Sequence, residues 1–271
     1  MAQIIESFTK GKRDDAEINE DVIVDTPHFI GVLDGATSRA GDTLGGMRTG
    51  RFAAQTVARH IAQLPPDIEA AAAVAQLTIA LAEATSAAAK AEGKTVSRAP
   101  ATALLLYSVQ RREIWRLADS IYGLDGVMHE NPLELNTTWG EMRRIYLCSC
   151  IARGTTEEDL RRDDPSYAIL TRVMGEMGGF PNYNGPYGYG VLNGSAVNDC
   201  HIDVVPVGDA VEIVLASDGY PKVFSTLAET EAYLATVLAE DPLMFKRHPQ
   251  AKGVAPGAVS FDDRSYIRFS V

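Results

Sequence analysis

Two stretches of this chain share one form, an apolar run closed by Asp-Gly. They are FIGVLDG at 29–35 and EIVLASDG at 212–219. A continuous apolar run of this length, bounded by turn residues, reads as a buried strand. The Asp ends the strand and the Gly lets the backbone turn sharply and approach another group closely. Three further acidic points sit at strand ends. Glu20-Asp21 opens the run 22–24, Asp119 closes 113–118, and Asp262-Asp263 precedes the alternating run 266–271. Acids at strand ends are common turn residues taken singly, but carboxylates so placed can converge on one edge of a packed sheet.

The rest of the pattern supplies layers for such an edge. Thr26-Pro27 between 22–24 and 28–33 predicts a hairpin, and 101–109 and 113–118 pair across the turn 110–112. From Gly45 the period becomes helical through Met47, Ala54, Val57, Ala58 and Ile61, and Pro65-Pro66 stops that helix. Asp67 caps an Ala-rich helix over 68–92, which Gly93 ends. Helices are expected at 141–152, at 157–177 with Thr155 or Thr156 as cap, and at 226–240. The segment 178–190 reads as a loop, and Asn193-Gly194 as a hairpin turn. Strands are expected at 201–207 and 211–217, around Gly208-Asp209. Strand groups with paired helices predict an α+β layered domain spanning 1–271, in which 121–200 is a mostly helical and loop insertion.

Charge narrows the function. With 25 Lys+Arg against 36 Asp+Glu, the formal net charge is −11. A nucleic-acid binder needs a basic face, and so does a protein that docks on anionic lipid. The first fifteen residues carry no signal-type apolar stretch, and the Ala-rich window 70–91 is interrupted by Gln76, Thr78, Glu83 and Lys90, so it reads as a soluble helix. Three cysteines, Cys148, Cys150 and Cys200, make no disulfide framework and fit the cytoplasm.

Converging carboxylates repel by about 4 kcal/mol per pair at 4 Å and an effective dielectric of about 20. A cation is expected among them. Oxygen-only ligands select hard ions, Mg²⁺ or Mn²⁺, over zinc. Five such acids suit two ions of the kind that activate water and stabilise a phosphoryl oxygen.

In order along the chain stand Asn19-Glu20-Asp21, Val32-Leu33-Asp34-Gly35, Ala101-Thr102, Ala118-Asp119-Ser120, Ala216-Ser217-Asp218-Gly219 and Ser260-Phe261-Asp262-Asp263. This ordered set resembles the protein phosphatase 2C family of metal-dependent serine/threonine phosphatases, over residues 19 to 263. Little of the family pattern falls in 121–200. The resemblance implies an αββα sandwich, two central antiparallel sheets flanked by helix pairs. It implies that Asp34 bridges two Mg²⁺ or Mn²⁺ ions and that Glu20 and the Gly35 carbonyl complete one site. Asp218 and Asp262 hold the other, and Asp119 belongs to a third, weaker site. Asp21 lies behind these ligands and orients waters. The implied catalytic residues are Asp34, Asp218 and an arginine that grips the substrate phosphate.

Three departures stand out. The family's arginine lies four residues before its Glu, where this chain has Ala16; Arg13, seven residues before Glu20, is the replacement expected here, with Arg39 and Arg48 behind it. Ala36 follows Asp34-Gly35 where some relatives carry a His general acid. Asp263 stands for the usual Asn and adds a negative charge beside the metals.

Other motifs do not carry chemistry. Cys148, Cys150, Cys200 and His201 lack zinc-ribbon spacing, GPYGYGVLNG at 185–194 lacks the context of a phosphate loop, and Ser217 is outside any Gly-x-Ser-x-Gly elbow. The expected activity is hydrolysis of a phosphomonoester, on phosphoserine or phosphothreonine of a protein, by a metal-bridging hydroxide attacking phosphorus. The alternatives are an inactive phosphatase-like module that binds a phosphoprotein or regulatory partner, and a hydrolase of a small phosphorylated substrate.

Overall fold

Strand periodicity sets the central layers. In the computed structural model, which describes residues 2–36, 41–96 and 98–271, strands β2 (Val22–Asp25), β3 (Phe29–Gly35), β6 (Thr102–Ser108), β7 (Glu113–Leu117) and β10 (Asp203–Pro206) form one antiparallel sheet in the order β10-β7-β6-β3-β2. A second sheet runs β1 (Gln3–Lys10), β12 (Arg264–Ser270), β11 (Glu212–Ala216), β8 (Ile121–Leu124) and β9 (Val127–His129). Side chains alternate across each strand. Ile30, Val32, Leu105, Tyr107 and Ile114 of the first sheet therefore meet Tyr122, Ile213, Leu215, Ile267 and Phe269 of the second. Each such side chain contributes about 1.5–3 kcal/mol by leaving water.

The opposite face of the first sheet, with Phe29, Leu33, Leu104, Leu106, Trp115 and Leu117, is covered by α1 (Thr49–Ile61) and α2 (Ala70–Glu92). α2 is apolar and long enough to cross a membrane by composition. It instead lays Ala73, Val74, Leu77 and Leu81 into this core, and Gly93 closes it in the left-handed region at φ 62°. On the far side of the second sheet, Leu234 and Val237 of α6 (Leu227–Glu240) pack on Val214, Ala216 and Tyr266 together with Met244 and Phe261. The expected α+β architecture of two antiparallel sheets between helices is the one found.

Several elements differ from the sequence reading. Residues 121–129, taken as part of an insertion, are the β8–β9 hairpin of the second sheet, and the helical segment begins at α3 (Glu134–Ala152). The helix expected over 157–177 is two, α4 (Glu157–Arg162) and α5 (Pro165–Glu176). Pro165 cannot continue a helix from before it but suits a first turn, and Asp164 caps the new one by accepting from the Ser166 N–H. Met47 lies in a two-residue hairpin, β4 (Thr43–Leu44) with β5 (Met47–Arg48), ahead of α1. β10 and β11 flank Gly208-Asp209 as expected but belong to different sheets. β1 carries no apolar run. It alternates between exposed and half-buried residues along an edge, and it pairs with β12.

Candidate functional site

The glycines of the two Asp-Gly motifs explain how separated acids come together. A Cβ on Gly35 would sit 2.5 Å from the Glu20 carbonyl oxygen and 2.6 Å from the Gly50 backbone. A Cβ on Gly219 would sit 1.9 Å from the Asp263 carbonyl oxygen. Each Asp-Gly turn thus presses against the backbone of another acidic motif, Glu20 in one case and Asp263 in the other. Any side chain at 35 or 219 would push the motifs apart.

A buried hydrogen-bond lattice holds the backbone around them. The Thr102 hydroxyl donates to the Asp34 carbonyl at 3.0 Å. The Ser217 hydroxyl donates to Asp21 Oδ2 at 2.7 Å and accepts from the Ser265 N–H at 2.8 Å. The Glu20 N–H donates to Asp263 Oδ2 at 3.2 Å, and Asn19 Oδ1 accepts from the Asp21 N–H at 3.1 Å. Arg51 of α1 donates to the carbonyls of Ala16 and Asn19, which fixes the loop before Glu20. That clamp was not read from the sequence, where Arg51 stands in a helix among ordinary surface residues.

The electrostatics divide the acids into two groups. Asp34 and Asp218 lie within hydrogen-bond reach of each other, and both carboxyls are raised. Burial, then Asp218 and Asp21, push the Asp34 carboxyl well above the usual carboxylate range. Burial and Asp262 raise Asp218, with the Asp34 hydrogen bond working against the rise. Burial and Asp218 push Asp119 up to about 7, although Asn136 Nδ2 of α3 donates to its Oδ2 at 2.7 Å. Burial pushes Asp21 up to about 8 against its Ser217 hydrogen bond, and Asp21 Oδ1 has no partner. These four carboxyls resist ionisation together, as expected of acids awaiting a cation.

Asp262 behaves oppositely. Burial would raise it, but Lys252 and Lys12 overcome this and hold it below the usual range. Lys12 Nζ lies 3.1 Å from Asp262 Oδ1, 3.1 Å from Asp263 Oδ2 and 3.6 Å from Glu20 Oε2, and Lys252 Nζ lies 2.5 Å from Asp262 Oδ2. Burial opposes the charge on Lys12, yet Asp262, Asp263 and Glu20 raise its pKa above the usual lysine range.

The structure thus draws Glu20, Asp21, Asp34, Asp119, Asp218, Asp262 and Asp263 into one region, with Gly35 packed against the backbone of Glu20. Arg13 is exposed at the surface, and the cation that reaches the acids is its neighbour Lys12. The Lys10-Gly11-Lys12-Arg13 run was the available signal, and the guanidinium was preferred for its planar fork. Arg48 is half-buried in β5, and Arg39 lies outside the described residues.

Among the described residues, no three His, Cys, Asp or Glu side chains form a group that could hold one ion. The donors are nonetheless all oxygens, and a paired Asp34–Asp218 with an unpartnered Asp21 oxygen behind it suits a hard ion that keeps most of its waters. Those acids fit a divalent cation. Glu20, Asp262 and Asp263 fit one only if Lys12 withdraws.

No protein-family model and no curated protein sequence matches this chain. Solved structures do. The catalytic domain of the serine/threonine protein phosphatase PstP, in complex with 2 manganese ions, aligns with 100% of this chain and 98% of its own at 16% identity and a TM-score of 0.50. The serine/threonine phosphatase Stp1 from Staphylococcus aureus aligns over 100% and 94% at 14% identity and 0.49, and Mycobacterium tuberculosis PstP/Ppp over 100% and 98% at 16% and 0.47. Only the first reaches a score that carries an argument, and at that identity the argument concerns the fold. The chain has the fold of the bacterial protein phosphatase 2C-type enzymes.

Proposed function

We propose that this chain is a metal-dependent phosphomonoester hydrolase acting on phosphoserine or phosphothreonine in proteins. The observation that carries the reading is the Asp34–Asp218 pair at the ends of β3 and β11, two carboxyls from different sheets brought within hydrogen-bond reach of each other. The manganese ions in the PstP structure support a divalent cofactor for the same fold. Such a cation, when bound, lowers the pKa of water and neutralises phosphoryl oxygens. Asp34 and Asp218 would hold it, with Asp119 beside them, and Asp21 orients water through its free oxygen. Thr102 and Ser217 keep the two strand ends in place. Arg13, exposed at the rim, is available to a substrate phosphate. The cytoplasmic location expected from the cysteines belongs to this reading.

Hydrolysis of p-nitrophenyl phosphate and of a phosphothreonine peptide, with Mn²⁺ or EDTA, tests it. Turnover that needs Mn²⁺ and disappears in Asp34→Asn is expected. One observation favours the alternative, a binding module without turnover: lysines already fill part of the acidic cluster. Folded protein that binds Mn²⁺ and hydrolyses neither substrate would establish that alternative.

A further inference from the structure

Lys12 is held at both ends by one partner. Its backbone N–H donates to Asp263 Oδ1 at 2.7 Å, and its Nζ donates to Asp263 Oδ2 at 3.1 Å. Its carbonyl accepts from the Val259 N–H at 2.8 Å, which ties it to the loop that carries Asp262 and Asp263. A surface lysine pays heavily in rotamer freedom to be fixed. Here the side chain is only 17% exposed and its ammonium faces three carboxylates from two separate motifs.

Asp262 is engaged on both oxygens. Lys12 takes Oδ1, which also accepts the Asp263 N–H at 3.0 Å, and Lys252 takes Oδ2. Neither oxygen is open to a metal ion without displacing an ammonium. Asp263 itself stands where the resemblance expects a neutral Asn, and its extra charge is the one Lys12 answers at both ends. By contrast, no lysine or arginine lies within ion-pair distance of Asp34, Asp119 or Asp218 among the described residues.

We propose that Lys12 is the resident cation at the Glu20–Asp262–Asp263 end of the cluster, so that the site takes a single divalent ion, on the Asp34–Asp218 side. This rests on the metal-dependent reading above and changes its stoichiometry. An ammonium is a compact point charge with three donors. Placed among three carboxylates, it neutralises them without exchanging with solvent ions, and the second charge on a substrate phosphate would then be met by protein rather than metal.

The test counts bound Mn²⁺ on the full chain by equilibrium dialysis, with free Mn²⁺ read by electron paramagnetic resonance. Counts are taken above the background of an Asp34→Asn, Asp218→Asn double variant. Wild type is expected to bind one ion. Lys12→Met with Asp263→Asn removes one charge of each sign and is expected to bind two. Circular dichroism shows whether that variant is folded, and if it is not, Lys12→Gln serves and is also expected to bind two. Two ions on the wild type, or one on the folded variants, would overturn the proposal and leave the metal-dependent reading standing. No ion on the wild type would overturn both.

Discussion

Arg143 offers the sharpest test of how the helical segment is fastened to the sandwich. It lies in α3 and is fully buried. Its Nη2 donates to Asp164 at 2.6 Å, its Nε to Asp164 at 3.2 Å and to Ser166 at 3.0 Å, and its Nη1 to the Leu243 carbonyl at 2.6 Å. One guanidinium thus joins α3, the start of α5 and the loop after α6. Arg143→Met keeps most of the apolar volume and deletes the charge. Breaking a buried pair by removing one partner costs about 3–5 kcal/mol. Asp164 retains some exposure and still caps α5, which reduces the penalty on that side. The Leu243 carbonyl has no such relief, and an orphaned buried acceptor costs about 1–3 kcal/mol. The expected loss is about 3–4 kcal/mol, measured by urea unfolding with the slope unchanged. Hydrogen exchange should show α3 and α5 amides opening before those of β3 and β6. A loss under about 1 kcal/mol, or uniform exchange across the chain, would refute the view of Arg143 as the fastener.

Asp34→Asn should stabilise the metal-free protein at pH 8, since an amide can donate to Asp218 without a proton being retained. It should also remove the stabilisation by Mn²⁺, about 2.7 kcal/mol at one hundred times the dissociation constant, and unchanged Mn²⁺ stabilisation in a thermal melt would count against Asp34 as a ligand. The raised carboxyls predict a pH trend. Asp119 near 7 and Asp21 near 8 hold protons in the folded state that the unfolded chain releases at about pH 4. Metal-free stability should therefore fall as pH rises from about 4 to about 8, and Mn²⁺ affinity should rise over the same window. His248, whose pKa burial lowers, acts oppositely only up to about pH 6.5, so melts in EDTA between about pH 7 and pH 8 isolate the carboxyls; stability constant or rising there would refute their assignment. Ala118 sits at φ 68°, a region that costs a non-glycine residue about 1–2 kcal/mol. Ala118→Gly should give a net gain of about 0.5–1 kcal/mol after the added unfolded-state freedom, read from the urea midpoint.

What the sequence made legible was what short-range pattern encodes. The Asp-Gly closures of β3 and β11 and the Gly93 stop of α2 follow from neighbours in the chain, whereas the cap expected at Asp67 is not made, because α2 starts two residues later at Ala70, behind Glu69 and without a side-chain cap hydrogen bond. The seven acids were legible as a set because each marks a strand end. β1 was not, because its QIIESFTK pattern is that of a half-exposed edge, and its partner β12 lies more than 250 residues away. The β8–β9 hairpin was hidden by its shortness, four residues and three. The occupant of the acidic cluster was illegible for a different reason. A guanidinium is the better fork for phosphate, so Arg13 was the stronger candidate by chemistry, and nothing in the sequence fixes which of two adjacent cations points inward. Asp263 decides it. By accepting the Lys12 backbone N–H as well as its ammonium, it sets the chain direction at 12 so that the next side chain, Arg13, is turned to the surface. The same argument joins the helical segment to the site. Asn136 at the start of α3 donates to Asp119, Lys252 beyond the Arg143-bound loop reaches Asp262, and Arg143 ties those two elements together. A change in the charge held between Asp119 and Asp262 therefore acts on both ends of one connected network, and Arg143→Met should loosen Mn²⁺ binding, read by equilibrium dialysis, without altering any carboxylate of the acidic cluster.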